Sequence, residues 1–203
     1  MYKTSSFPEG SGVNPWYELS AYKNHRFSDP SEIKNSYDYV VVGAGFGGVS
    51  AAFRLSENNP SAKIALIDAL PVGYYSSGRN AGFVALAQVA KALIGFDHFT
   101  LDDQRWLLHL NRTVVSRIEK IRKQSKLEFE WRQDGMYKAV REKRNVAALD
   151  ALEGHLQRLG LGYERVKGDE LSSRLGTSFY RDAIYVKDTI LNNPSEVIRG
   201  LAT

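Results

Sequence analysis

The run Asp38-Tyr-Val-Val-Val-Gly43-Ala-Gly45-Phe-Gly-Gly48 constrains the fold more than any other stretch of this chain. A β-branched strand that breaks into glycines at G-x-G-x-x-G spacing and runs on into a helix is the opening βα unit of a parallel sheet. Its backbone N–H groups are presented to a pyrophosphate. The glycines have separate steric tasks: Gly43 permits the turn, Gly45 lets a phosphate approach the backbone, and Gly48 lets the helix pack on the strand. Such a motif carries weight only in the right surroundings, and these agree. Asp38 to Val42 reads as a buried strand, and Val49 to Glu57 as a helix carrying Ala51, Ala52, Phe53 and Leu55, stopped by Asn58-Asn59-Pro60. A second apolar run, Ile64 to Ile67, ends at Asp68, about 20 residues past Gly48. There a carboxylate accepts hydrogen bonds from ribose hydroxyls and disfavours a 2′-phosphate.

The segment beyond Asp68 separates one dinucleotide from another. Val72 to Phe83 reads Val-Gly-Tyr-Tyr-Ser-Ser-Gly-Arg-Asn-Ala-Gly-Phe, offering hydroxyls from Ser76 and Ser77, a phosphate-matching guanidinium from Arg79, and close backbone passage at Gly78 and Gly82. With the first glycine motif and Asp68, this string resembles the FAD-dependent D-amino-acid oxidase superfamily, in particular its glycine/sarcosine oxidase and gamma-glutamylputrescine oxidoreductase-like members. The resemblance implies FAD as cofactor. It places Gly43, Gly45, Phe46, Gly47 and Gly48 around the pyrophosphate and Asp68 on the ribose. Ser76, Ser77 and Arg79 then lie near the diphosphate, and Asn80, Ala81 and Gly82 near the isoalloxazine. An NAD-linked dehydrogenase shares the first motif and Asp68 but needs no such loop.

Further along, Asp102 and Asp103 suit a helix N-terminus, with Trp106, Leu110, Val114, Ile118 and Ile121 as its apolar stripe. Leu127 to Trp131 and Gly135 to Val140 read as two strands around a turn at Gln133-Asp134-Gly135. A second amphipathic helix presents Val146, Leu149, Leu152, Leu156 and Leu159, and Gly160 and Gly162 suit its end. Asp169 to Leu171, Ala183 to Val186 and Thr189 to Pro194 resemble the family's substrate domain and its return to the cofactor domain. The fold class expected is α/β: a Rossmann-like FAD-binding βαβ unit with part of an α+β substrate domain, a truncated two-domain flavoprotein. The expected division is an arm over 1–36, the FAD-binding unit over 37–100, a partial substrate domain over 101–190, and the start of the return over 191–203.

By that resemblance, the complete enzyme oxidises a C–N bond of a small amine or amino acid. The segments that family members use for the substrate carboxylate and most ring-facing residues have no counterpart before Thr203, so no catalytic residue is named. A non-catalytic cofactor-binding fragment, or one subunit of a split oxidase completed by a C-terminal half, is the alternative expectation. A parallel sheet reduced to its first strands leaves an unpaired edge, which favours self-association into a homo-oligomer.

Composition excludes more than it selects. The 203 residues are 43% hydrophobic and 25% charged, enough for a core. No apolar stretch approaches the roughly 20 residues of a membrane span. The net charge of +4 is concentrated between Arg117 and Lys126, on the polar face of a helix, so no nucleic-acid partner is expected. His25, His98, His109 and His155 lack metal-ligand spacing, so no metal is expected. Absent cysteine excludes disulfides and a cysteinyl-flavin bond, and a cytoplasmic location is expected. Met1 to Ser36, rich in Pro, Ser, Asn and Tyr, reads as a wrapping arm in which Asn14-Pro15-Trp16-Tyr17 resembles the aromatic arm of putrescine-oxidoreductase-like members.

Overall fold

The computed structural model describes residues 12–28, 30–86 and 99–203, so the first eleven residues of the expected arm and His98 lie outside the described residues. The chain divides into two compact units. One comprises the chain up to Gly82 with Ile121–Trp131 and Asn192–Thr203, and the other Phe83–Lys120 with Arg132–Leu191. The expected arm, FAD-binding unit and return segment thus contribute to a single compact body, and the second body begins at Phe83.

In the first unit, β1 (Tyr39–Val42) and β2 (Ile64–Ile67) pair in parallel, Tyr39 opposite Ile64 and Val42 opposite Ile67. Both ends of the register are pinned. Lys63 N–H donates to the Asp38 carboxylate at 2.7 Å, and Gly43 N–H to the Ile67 carbonyl at 2.7 Å. The crossover helix α2 (Phe46–Asn58) begins earlier than the expected Val49, because Gly45 is already its N-cap and its carbonyl accepts the Val49 N–H at 2.9 Å. The expectation that β1 is buried fails. Val40 is 56% and Val42 79% exposed. A parallel strand is buried by neighbouring strands and by helices on both faces. Among the described residues, β1 pairs with β2 alone, with α2 packed on both strands.

Two short Asn-Pro segments complete this unit. In α1 (Pro15–Glu18) and α6 (Pro194–Ala202) an Asn caps the helix and Pro takes the first position, where the missing N–H costs nothing. Asn14 Oδ1 accepts the Tyr17 N–H at 3.3 Å and Asn193 Oδ1 the Glu196 N–H at 3.0 Å. Glu196, nearly buried, accepts the Ala21 N–H and the Glu130 N–H, each at 2.8 Å. This corrects the expected strand over Leu127–Trp131. Backbone donors at Glu128 and Glu130 go to Tyr22 Oη and Glu196 instead of to a neighbouring strand, and Phe129 packs on Gly200. Only Trp131–Arg132 (β4) is extended in a ladder, and it joins the strand Thr189–Asn192 (β8) rather than forming a hairpin with Met136–Val140 (β5).

The second unit is built on an antiparallel sheet of order β5–β7–β6, with β5 (Met136–Val140), β6 (Tyr163–Lys167) and β7 (Asp182–Val186). Helix α4 (Val146–Arg158) buries Leu149, Leu152 and Leu156 against Ile184 and Val186. Helix α5 (Gly168–Leu175) buries Leu171 against Val166 and Ala183. Ile184 and Ala183 are adjacent on β7, so these two clusters occupy opposite faces. A second ladder pairs β3 (Phe83–Ala85) antiparallel with β8 (Thr189–Asn192).

Helix α3 (Leu101–Gln124) starts at a reciprocal cap, in which Thr100 N–H donates to Asp103 Oδ2 at 2.8 Å and Asp103 N–H to Thr100 Oγ1 at 3.2 Å. Its expected apolar stripe is partly corrected. Trp106 is 61% exposed, with Leu110 and Val114 also outward, whereas Leu108 enters the α4 core and Asn111 Nδ2 donates to the Leu86 carbonyl at 3.2 Å. Ile118 and Ile121 are half-buried as expected. The period was right and the phase of the first half was not. Among the described residues no helix is long and apolar enough to cross a membrane.

Candidate cofactor site

At the carboxyl ends of β1 and β2 the first unit opens into a cleft of about 290 Å³, lined by Ala44, Gly45, Asp68, Leu70, Gly73 and Ser77 among others. This is where an open parallel sheet binds its ligand. Gly43 has φ +97°, a backbone that a side chain would strain. A Cβ on Gly48 would collide with the Gly43 carbonyl, so only glycine lets α2 start this close to the turn. Gly45 has a third constraint: a Cβ there would stand 2.7 Å from Ser77 Oγ.

The turn is tied to its surroundings by two side chains. Asp68 Oδ2 accepts the Ala44 N–H at 2.6 Å and Oδ1 the Leu70 N–H at 3.0 Å, so the carboxylate braces the glycine turn from the end of β2. Ser77 Oγ accepts the Phe46 N–H at 3.2 Å, sitting at the positive end of the α2 dipole. Gly47 and Gly48 follow in the same first turn, whose N–H groups have no acceptor within the helix. An oxygen-rich anion fits here: a hydroxyl oxygen already takes one of these donors, and the open side of Gly47 has no atom within 4 Å of where a Cβ would stand.

Of the residues expected from sequence, Gly45, Asp68, Ser76 and Ser77 line the cleft together. Gly43, Phe46, Gly47 and Gly48 form its turn and helix start. Arg79, Asn80, Ala81 and Gly82 continue along the loop with partners of their own. Arg79 Nε donates to the Tyr74 carbonyl at 3.0 Å and Nη2 to the Gly12 carbonyl at 3.3 Å, while the guanidinium lies 5.2 Å from the Tyr74 ring centre. Asn80 Nδ2 donates to the Ser77 carbonyl and its Oδ1 accepts the Gly82 N–H at 2.8 Å; Ala81 is exposed.

Sequence reasoning missed the side chains that hold this loop from behind. Asn14 Nδ2 donates to the Gly73 and Tyr74 carbonyls, at 3.2 and 2.9 Å, and Ser195 Oγ to the Gly73 carbonyl at 2.8 Å. Arg199, only 1% exposed, donates through Nη1 to the Val72 carbonyl at 2.7 Å and through Nε and Nη2 to the Tyr22 carbonyl at 2.9 and 2.7 Å. Burial pushes its guanidinium pKa down, opposed in part by Tyr17. The legible signal was the pair of Asn-Pro helix starts at Asn14 and Asn193, each a capping signature.

A glycine turn at a helix N-terminus, an acid closing the second parallel strand and a cleft between them define an α/β dinucleotide-binding protein. Residues 38–203 match the family described as FAD dependent oxidoreductase (DAO), and the chain belongs to that family. FAD is its cofactor.

Solved structures of similar fold include glycine oxidase from Geobacillus kaustophilus, at TM-score 0.67 and 15% identity over 82% of this chain and 43% of that one. L-amino acid deaminase from Proteus myxofaciens superposes at TM-score 0.62 with 16% identity, over 84% of this chain and 36% of its own. L-α-glycerophosphate oxidase from Mycoplasma pneumoniae, solved with FAD bound, gives TM-score 0.62 and 13% identity over 83% and 42%. The chain therefore spans less than half the length of these relatives.

Proposed function

We propose that this chain grips the FAD of an oxidoreductase that oxidises a C–N bond of a small amine or amino acid. The observation that carries the reading is the cleft itself, in which Gly45, Asp68, Ser76 and Ser77 converge on the N-terminus of α2. In this reading the amides of Gly45, Phe46, Gly47 and Gly48 and the hydroxyls of Ser76 and Ser77 hold the diphosphate, and Asp68 accepts from the ribose. Arg79, Asn80, Ala81 and Gly82 carry the chain past the flavin. When bound, FAD supplies the acceptor for the hydride equivalent that leaves the substrate. The protein's own part is to fix the dinucleotide by preorganised donors, at little cost in reorganisation. Glycine oxidase and L-amino acid deaminase, both similar in fold, support the amine or amino-acid class of substrate.

The test is a titration of the chain with FAD and, separately, NAD, followed by flavin fluorescence and calorimetry. FAD is expected to bind with NAD inert; tight NAD binding without FAD binding overturns the reading. Oxygen uptake with a panel of amines and amino acids then asks whether the chain turns over alone or only with a complementing polypeptide, and which substrate supports it.

A further inference from the structure

The residues that contact the back of the 72–80 loop come from two segments far apart in sequence. From the arm, Asn14 donates to Gly73 and Tyr74, the Trp16 indole N–H to the Asn80 carbonyl at 3.0 Å, and the Gly12 carbonyl accepts from Tyr74 Oη at 2.9 Å. The Tyr17 ring meets the Tyr74 ring edge-on at 5.4 Å. From α6, Ser195 and Arg199 bind the Gly73 and Val72 carbonyls. Arg199 also binds the arm, donating to the carbonyls of Tyr22 and His25, the latter at 3.0 Å, with its guanidinium 4.7 Å from the Tyr17 ring centre and 5.0 Å from that of Phe27.

Arg199 therefore links arm and loop through one planar fork. A guanidinium is always charged at neutral pH and desolvating it is costly. Its donors are satisfied here only while Val72, Tyr22 and His25 stay in place. Loss of the arm would leave a buried cation short of acceptors, so the arm and the loop hold each other in register. The loop's front, at Ser77, meets the Phe46 N–H at the mouth of the cleft.

We infer that Arg199 is a positioning residue for the cofactor: it couples docking of the 12–27 arm to the placement of the 72–80 loop over the α2 N-terminus, so that cofactor binding and arm docking reinforce one another. This rests on the FAD reading above. Coupling of this kind is reciprocal. A dinucleotide that holds the loop must tighten the arm, and loosening the arm must weaken the dinucleotide.

The test uses the full chain, titrated with FAD and digested with trypsin, whose targets Lys23 and Arg26 lie in the arm. Saturating FAD is expected to slow cleavage of the wild-type arm about fivefold or more. Arg199→Met is expected to weaken FAD about tenfold and to abolish that protection. Asn14→Ala, which removes the arm's bonds to Gly73 and Tyr74 while leaving Arg199 in place, is expected to weaken FAD by a smaller factor. It serves as the deciding variant if Arg199→Met does not fold. A purely architectural Arg199 would lower the melting temperature of the variants yet leave FAD affinity and FAD-dependent protection unchanged, and that result overturns the inference. Wild-type chain that binds FAD with no change in arm cleavage also overturns it. Wild-type chain that binds no FAD rejects the cofactor reading itself, and this inference with it.

Discussion

At the scale of single residues, the site is set by where backbone donors find oxygen. Ala44 is buried and its N–H is bound by Asp68 Oδ2, so Asp68 braces the turn in the unliganded chain. Asp68→Ala is expected to cost about 1–3 kcal/mol of stability in the unliganded chain, measured by urea unfolding, because a buried N–H loses its acceptor. FAD affinity should fall in the same variant. Gly45 answers to Ser77: a Cβ there would stand 2.7 Å from Ser77 Oγ but 3.9 Å from Ser77 Cβ. Gly45→Ala is therefore expected to destabilise the chain, and Gly45→Ala with Ser77→Ala to recover most of that stability while FAD affinity stays low. A double-mutant cycle in unfolding and in FAD titration separates steric relief from loss of the phosphate cradle.

At the scale of elements, the amphipathic pattern of α3 names a helix but not its face. Its first half carries apolar side chains around much of its circumference, and the α4 cluster admits Leu108 and leaves Trp106 outside. Leu108→Ala is expected to cost about 2–5 kcal/mol and Trp106→Gln about 0.5 kcal/mol or less, by chemical denaturation. The β5–β7–β6 sheet is locked at one end by Arg165, which donates to both Asp182 oxygens at 2.6 and 2.7 Å, to Glu153 at 2.9 Å and to Asp150 at 3.0 Å. The Arg165 hydrogen bonds hold the Asp182 carboxyl below the usual carboxylate range. A lowered folded-state pKa means the contribution is complete above the unfolded value, about 3.9 for aspartate, and is lost as pH falls through the folded value. Acid should thus weaken this unit below about pH 4. Asp182→Asn should cost about 3 kcal/mol at neutral pH, by leaving a partly buried Arg165 undercompensated, and should flatten the acid slope in unfolding monitored against pH.

At the scale of the whole molecule, two compact units carry different duties. One holds the cleft at the α2 N-terminus, and the other is an antiparallel sheet sandwiched by α4 and α5. A ligand that binds only the folded first unit stabilises it by mass action. FAD at a hundred times its dissociation constant is expected to contribute about 2.7 kcal/mol, read as a rise in calorimetric melting temperature. NAD at equal concentration should give no rise. The open face of β1, with Val42 79% exposed, leaves apolar surface that burial would otherwise stabilise at about 25 cal/mol per Å².

The G-x-G-x-x-G turn, Asp68 and the Ser-Ser-Gly-Arg-Asn string were legible because each is a short-range demand. A positive φ at Gly43, a close approach at Gly48 and a carboxylate one strand away are written in consecutive or regularly spaced residues. Helix α2 was legible from its helix-forming residues and α4 from its apolar period, both local properties of the chain. The chain alone did not show which half of α3 faces inward, that Glu128 and Glu130 give their N–H groups to side chains instead of a ladder, or that Arg199 reaches back to Tyr22 and Val72. Those outcomes depend on contacts 25 to 177 residues apart in sequence, where long-range packing rather than local propensity decides which donor meets which acceptor.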